Sequence, residues 1–207
     1  MTSEHRHSAA GAGAGRLKIV LLLTGGYMLV EVVGGILTGS LALIADAGHM
    51  LTDVAGVSMA LLAIRFGARP ASDVKSFGYY RLEILAALAN AVLLFGVALY
   101  VLIEAVGRFG DQPEVLATPM LVVASLGLVA NLVAFALLRQ GSKESLNVEG
   151  AYLEVLSDTV GSVGVIIAAI VIGVTDWGWV DPAVGIAIGL WILPRTWRLG
   201  SRAVRIL

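Results

Sequence analysis

The sequence predicts an all-α membrane protein with six transmembrane helices. Hydrophobic residues make up 58% of the 207 residues and charged residues only 14%, whereas an ordinary soluble domain has about 25% charged residues. A transmembrane helix needs about 20 predominantly apolar residues, and six stretches satisfy this requirement. They cover residues 17–39, 42–66, 82–106, 115–138, 148–174 and 178–195.

The basic residues predict the orientation of these spans. If the N-terminus is cytoplasmic, all 14 Lys and Arg residues except Arg108 fall on the cytoplasmic side. Such a bias follows the positive-inside rule and predicts that both termini are cytoplasmic. Residues 1–15 are polar and rich in Gly and Ala, which predicts a disordered cytoplasmic tail. The six-helix membrane domain then covers residues 16–207.

Composition also excludes several kinds of site and partner. The chain has no Cys, so disulfides and thiolate metal sites are excluded. A net charge of -1 argues against nucleic acid as a partner. The sequence has neither an H-E-x-x-H zinc-protease motif nor a phosphate-binding glycine loop. We therefore expect no enzyme of these classes and no use of ATP.

Ionisable residues occur inside two of the predicted spans. In the second span, "ADAGHMLTD", Asp46, His49 and Asp53 lie at i, i+3 and i+7, which puts them on one face of a helix. In the fifth span, Glu154 and Asp158 lie at i and i+4. A charged side chain near the bilayer centre costs roughly 2.5–3.5 kcal/mol on insertion scales, so such residues need a function or a partner.

These two spans run in opposite directions in the predicted topology. If they are neighbours, His49 lies at the depth of Asp158, and Asp53 lies one turn away at the depth of Glu154. One imidazole nitrogen and three carboxylate oxygens could then form a tetrahedral metal site. Zn²⁺ accepts such ligands, and the excess of oxygen also suits Mn²⁺, Fe²⁺, Co²⁺ or Cd²⁺.

Two other interpretations of these residues remain open. The groups could be protonated and hydrogen-bonded to one another, holding helices together, although two separate pairs on two helices favour coordination. An intramembrane aspartyl protease could use Asp53 with Asp158, but the His and Glu partners one turn away again favour coordination. Hydrolysis of a membrane peptide that disappears in Asp53→Ala would revive the protease interpretation.

Three further polar residues lie inside predicted spans. Three interpretations of Asp46 are open. It is a transient binding site for ions on the outer side, a partner that orients the His49 ring, or a solvated carboxylate favoured by the helix dipole. For Glu31 in the first span and Asn131 in the fourth, we favour helix contact or support of the ligands over direct coordination.

Four separated motifs resemble the cation diffusion facilitator family of the zinc, cadmium and cobalt efflux type. In order, they are "GSLALIADAGHMLTDV", "SFGYYRLEILAALANAVLL", "NVEGAYLEVLSDTVGSVGVI" and "DPAVGIAIGLWIL". The resemblance implies a homodimer in a bacterial inner membrane that exports divalent cations, mainly Zn²⁺, in exchange for protons by alternating access, with no cofactor. It also implies that the transported ion binds His49, Asp53, Glu154 and Asp158.

The chain departs from the family pattern at several positions. Zinc-selective members usually have His where this chain has Glu154, and the replacement of nitrogen by oxygen favours harder ions such as Co²⁺, Fe²⁺ and Mn²⁺, along with Cd²⁺. Some members bind metal in the loop between the second and third spans, but Lys75 and Tyr79 stand at its His positions, so we predict no metal there. Family members usually continue into a cytoplasmic ferredoxin-like domain, whereas we expect residues 16–207 to form the transmembrane domain alone.

The motif "SFGYYRLEI" places two charged residues at the cytoplasmic end of the third span. Arg81 and Glu83 form an ion pair at an inner gate or interface, or they are charged helix ends whose side chains reach the membrane surface. For the chain as a whole, a passive metal channel and a membrane metal sensor or scaffold that does not transport are the alternative functions.

Overall fold

The structure, a computed structural model, describes residues 3–67, 76–109, 114–139 and 146–206. These ranges contain six helices and no strand, which confirms the all-α prediction. The helices are α1 (Ser3–Thr38), α2 (Leu41–Gly67), α3 (Ser76–Arg108), α4 (Ala117–Arg139), α5 (Leu146–Thr175) and α6 (Val180–Ile206). Each corresponds to one predicted span. Helix α1 differs at its start, because it includes residues predicted as a disordered tail; their many Ala residues have high helix propensity.

Four of the helices are long and apolar enough to cross a membrane. These segments are Gly15–Thr38, Leu88–Arg108, Ala117–Arg139 and Val148–Thr175. Their outward faces carry large apolar side chains such as Leu22 and Val174, which are 78% and 80% exposed. Apolar surface of this extent requires lipid around it. The protein is therefore a multi-pass integral membrane protein, and the spanning of α2 and α6 remains a prediction.

Helix α2 lies at the centre of the bundle and packs against α1, α3, α5 and α6. Two apolar clusters cross the bundle at different levels. The first includes Leu43 of α2, Met120 of α4 and Val165 of α5. The second includes Val57 of α2 and Val155 of α5. Helix α2 thus runs from the first cluster to the second and α5 runs from the second to the first, so the two helices are antiparallel, as predicted.

A tight turn connects α1 with α2. Gly39 adopts φ 71°, a conformation that glycine reaches without steric penalty. The Ser40 hydroxyl then accepts a hydrogen bond from the backbone N–H of Leu43 at 3.1 Å and caps the start of α2. The backbone N–H of Leu116 donates to the carbonyl oxygen of Thr38 at 3.0 Å, which attaches the segment before α4 to this turn.

Close contact between α1 and α4 depends on a glycine. The ring of Tyr27 occupies the space that a Cβ atom at Gly127 would fill. We expect Gly127→Ala to lower the free energy of unfolding by about 1–3 kcal/mol, because a buried aromatic ring must move. Thermal unfolding in detergent measures this effect. Gly96→Ala is the control, since no atom lies within 4 Å of a Cβ there; equal melting temperatures for the two variants would contradict the prediction.

Candidate metal centre

Three of the four predicted metal ligands meet between α2 and α5. His49 Nε2 lies 3.5 Å from Asp158 Oδ1, and His49 Nδ1 lies 3.9 Å from Asp53 Oδ2. One potential ligand atom from each residue lies within 4.8 Å of the others. In a tetrahedral zinc site with bonds of 2.0–2.1 Å, ligand atoms are about 3.3 Å apart. Small side-chain movements would therefore bring this triad onto one ion.

The triad is buried in a polar layer between the two apolar clusters. His49 and Asp53 are each 5% exposed, and Asp158 is 1% exposed. His49 and Asp53 lie on α2 between Leu43 of the first cluster and Val57 of the second cluster. Because ionised carboxylates are strongly unfavourable in such surroundings unless they are compensated, the layer is suited to a cation or protons.

Glu154 lies outside this triad. Its carboxylate is close to the α2 backbone at Gly56, where a Cβ atom would lie 3.7 Å from Glu154 Oε2. Gly56 follows Asp53 by three residues and lies on the same side of α2. The side chain is half-buried, whereas the triad is fully buried. Its role as a fourth ligand remains a prediction.

Asp46 of α2 and Glu31 of α1 are both buried. Asp46 is 2% exposed and Glu31 1% exposed. Asp46 approaches α5 because Gly161 has no side chain there; a Cβ atom at Gly161 would lie 2.9 Å from Asp46 Oδ1. The burial of Asp46 removes the solvated-carboxylate interpretation, which requires contact with water. Its use as a transient binding site for ions or as a partner of His49 stays a prediction.

Asn131 connects α4 with α5. Its Nδ2 donates a hydrogen bond to Ser162 Oγ at 3.1 Å, and both side chains are buried. This geometry agrees with the predicted helix contact. The predicted gate pair Arg81 and Glu83 and the loop position Tyr79 lie in α3, but their side chains are outside the part that the structure describes. Lys75 lies outside the described residues altogether.

A polar cluster that was not predicted joins the start of α2 to α6. The Asp181 carboxylate is 0% exposed and accepts hydrogen bonds from the Ser40 hydroxyl at 2.6 Å and the backbone N–H of Leu41 at 2.7 Å. Arg108 Nη1 lies 3.9 Å from Asp181 Oδ2 and donates to the carbonyl oxygen of Gly39. The Gly-Ser pair before α2 and the Asp-Pro pair at the start of α6 were the available signals, since both are typical of helix starts.

Two other buried polar groups were not singled out from the sequence. Thr52 of α2 and Asn90 of α3 are each 7% exposed. Within the described residues, Thr52 Oγ1 and Asn90 Nδ2 have no hydrogen-bond partner. A buried polar residue in an apolar helix is itself a signal of function, and both positions were readable in the predicted second and third spans.

Comparison with known proteins identifies the family. The family model of the cation efflux transmembrane domain matches residues 17–207. The chain belongs to the cation efflux family. It is 53% identical over 207 residues to the metal cation efflux system protein CzcD of Cupriavidus metallidurans, covering 100% of this chain and 66% of the relative. The family consists of membrane transporters, which supports transport as the function.

Two further relatives belong to the same cation efflux family. The zinc transporter ZitB of Escherichia coli is 46% identical over 204 residues, covering 96% of this chain and 65% of that protein. The cadmium, cobalt and zinc/H(+)-K(+) antiporter of Bacillus subtilis is 42% identical over 205 residues, covering 98% and 66%. The chain thus spans about two thirds of the length of these curated relatives.

Proposed function

We propose that this chain is the membrane unit of a divalent metal exporter that exchanges its cargo for protons. The observation that carries the proposal is the buried triad of His49, Asp53 and Asp158, whose ligand atoms lie within 4.8 Å of one another. The names of the relatives, which include zinc, cadmium and cobalt, indicate the class of cargo.

The proposed cycle is alternating access with both termini in the cytoplasm of a bacterial cell. A cytoplasmic cation binds when the carboxylates are ionised and His49 is neutral. Helix movement then opens the site toward the Ser40 end of α2. Protons on that side compete for the same ligands, because proton and metal binding exclude each other on one atom. The cycle needs no cofactor, and a homodimer is the assembly that the family resemblance implies.

Transport into liposomes under an imposed pH gradient tests the proposal. Purified protein is reconstituted, and uptake of zinc, cadmium, cobalt and manganese is recorded with and without the gradient. An exchanger accumulates metal against its concentration gradient only when the pH gradient is present. Metal that only equilibrates across the membrane would show a passive channel. Metal binding without any movement would show a sensor or scaffold.

Metal preference is expected to depend on Glu154. Glu154→His replaces an oxygen with a nitrogen ligand and removes one negative charge near the triad. Because imidazole suits zinc better than manganese, we expect the ratio of zinc to manganese uptake to rise at least several-fold. The control is Glu149→His, which places the same side chain at an exposed position of α5. An unchanged ratio in Glu154→His would exclude this residue from the ion's coordination.

A further inference from the structure

Four arginines lie on one face of the second half of α6. The helix continues past Pro194 to Ile206 and contains no acidic residue after Asp181. Its basic residues all follow Pro194 and are Arg195, Arg198, Arg202 and Arg205. They are spaced three, four and three residues apart, which puts their positions within an arc of about 80° around the helix. We call this face the arginine stripe.

The face that carries the arginine stripe points away from the bundle. Trp191, four residues before Arg195 on the same face, is 72% exposed. Arg198 is also exposed, and its Nε donates a hydrogen bond to the carbonyl oxygen of Pro194 at 3.1 Å. No acidic side chain pairs with Arg198 in the part of the chain that the structure describes. Its two terminal nitrogens can therefore bind an external phosphate through two parallel hydrogen bonds, as guanidinium groups do.

Tryptophans lie near both ends of the predicted sixth span. Trp177 and Trp179 precede α6, with their rings stacked at a centroid distance of 6.0 Å and both side chains exposed. Trp197 lies at the other end and is 71% exposed. The 18 residues from Trp179 to Trp197 correspond to about 27 Å of helix, close to the roughly 30 Å thickness of the hydrocarbon core. Because tryptophan is enriched at both membrane interfaces, this distance puts Arg198 and the positions after it at the level of the lipid headgroups.

The arginine stripe is more specific than a signal for membrane orientation. The positive-inside rule requires Lys or Arg on the cytoplasmic side but no particular spacing. Arg16 and Lys18 of α1 meet that requirement at positions that lie on different faces of their helix. In α6 the charges instead form one continuous face at the level of the headgroups. Charge complementarity therefore favours an anionic lipid surface as the partner of this face.

We propose that the arginine stripe binds the phosphate groups of anionic lipids at the membrane surface beside the end of α6. Arg198, directly after Trp197, contacts the phosphates closest to the hydrocarbon boundary, and Arg202 follows one turn later on the same face. Each arginine near an anionic membrane surface raises the affinity about five-fold. The lipid contact uses no metal ligand and does not depend on metal transport, so it stands or falls separately from the proposed function.

Native mass spectrometry of the full chain in a neutral detergent tests the proposal directly. Phosphatidylglycerol, which is anionic, and phosphatidylcholine, which has no net charge, are added separately, and the bound lipid is counted at each concentration. The wild type should bind phosphatidylglycerol more tightly. The double variant Arg198→Gln/Arg202→Gln should bind phosphatidylglycerol about 25-fold more weakly and phosphatidylcholine as before. The matched control is Arg16→Gln/Lys18→Gln, which removes the same charge from α1 and should leave both affinities unchanged.

Four outcomes would overturn the lipid contact. Equal affinity of the wild type for the two lipids would show no preference for anionic headgroups, and equal losses in the two double variants would show an effect of total charge alone. Displacement of phosphatidylglycerol by an equal concentration of inorganic phosphate would show a simple anion site. Loss of dimers without loss of lipid would show that the stripe binds a second copy of the chain. Arg198→Gln alone serves if the double variant does not fold, with an expected loss of about five-fold.

Discussion

Asp158→Asn is expected to weaken zinc binding more than about 100-fold, since loss of a residue that only supports a ligand already costs 10–100-fold. Asp158 is 1% exposed and its Oδ1 lies 3.5 Å from His49 Nε2. The amide has nearly the same shape as the carboxylate but no charge, so it cannot replace an anionic ligand. Isothermal titration calorimetry of the purified protein with zinc measures the change, and uptake into liposomes should disappear with it.

The same variant separates coordination from hydrogen bonding between helices. If Asp158 is only a polar helix contact, the neutral amide should maintain the contact and leave zinc affinity as in the wild type. If it is a ligand, zinc affinity falls while the melting temperature stays the same or rises, because a buried negative charge has been removed. Glu149→Gln is the matched control, since it makes the corresponding change at an exposed position of the same helix.

Asp181→Ala is expected to have the largest effect on stability. The Asp181 carboxylate accepts hydrogen bonds from the Ser40 hydroxyl and from the backbone N–H groups of Leu41 and Ala42 at 2.6, 2.7 and 3.2 Å. Its removal leaves the Ser40 hydroxyl and these two N–H groups without their acceptor, whereas Arg108 keeps its ion pair with Glu104. Each buried donor left unpaired costs about 1–3 kcal/mol, so we expect a total loss of about 3 kcal/mol or more. For a domain of this size, that corresponds to a melting temperature lower by roughly 10 °C.

Two further variants define the origin of this effect. Asp181→Asn keeps one acceptor oxygen and loses the charge, so its melting temperature should fall between those of the wild type and Asp181→Ala. Glu114→Ala is the control, because Glu114 is an exposed acidic residue just before α4. Thermal unfolding in detergent compares all three. If Asp181→Ala unfolds at the same temperature as Glu114→Ala, the cluster does not stabilise the junction of α2 with α6.

Much of the candidate site was predictable because it depends on local geometry. The spacing of His49 and Asp53 puts them on one helical face whatever the rest of the chain does. The antiparallel course of α2 and α5 follows from counting spans. Together these predicted that His49 and Asp158 lie at one level, and the structure places their side chains 3.5 Å apart.

The exact contact between helices was less predictable. Counting turns predicts that Glu154 lies level with Asp53, and the structure shows its carboxylate beside Gly56, three residues after Asp53. Helical spacing specifies the face of a residue, whereas the level at which two helices meet depends on their tilt and on the small residues between them. Gly161 is such a residue, because it allows Asp46 to approach α5.

The sequence by itself therefore determined the helices, their order and the two ionisable faces, since hydropathy and helical periodicity act within a single segment. The tertiary structure decided which buried groups share a site. It brought His49 of α2 to Asp158 of α5 and put the Asp181 carboxylate of α6 at the start of α2, 140 positions earlier in the chain. Helical periodicity does not predict which helices meet, because such contacts result from the packing of all the helices together.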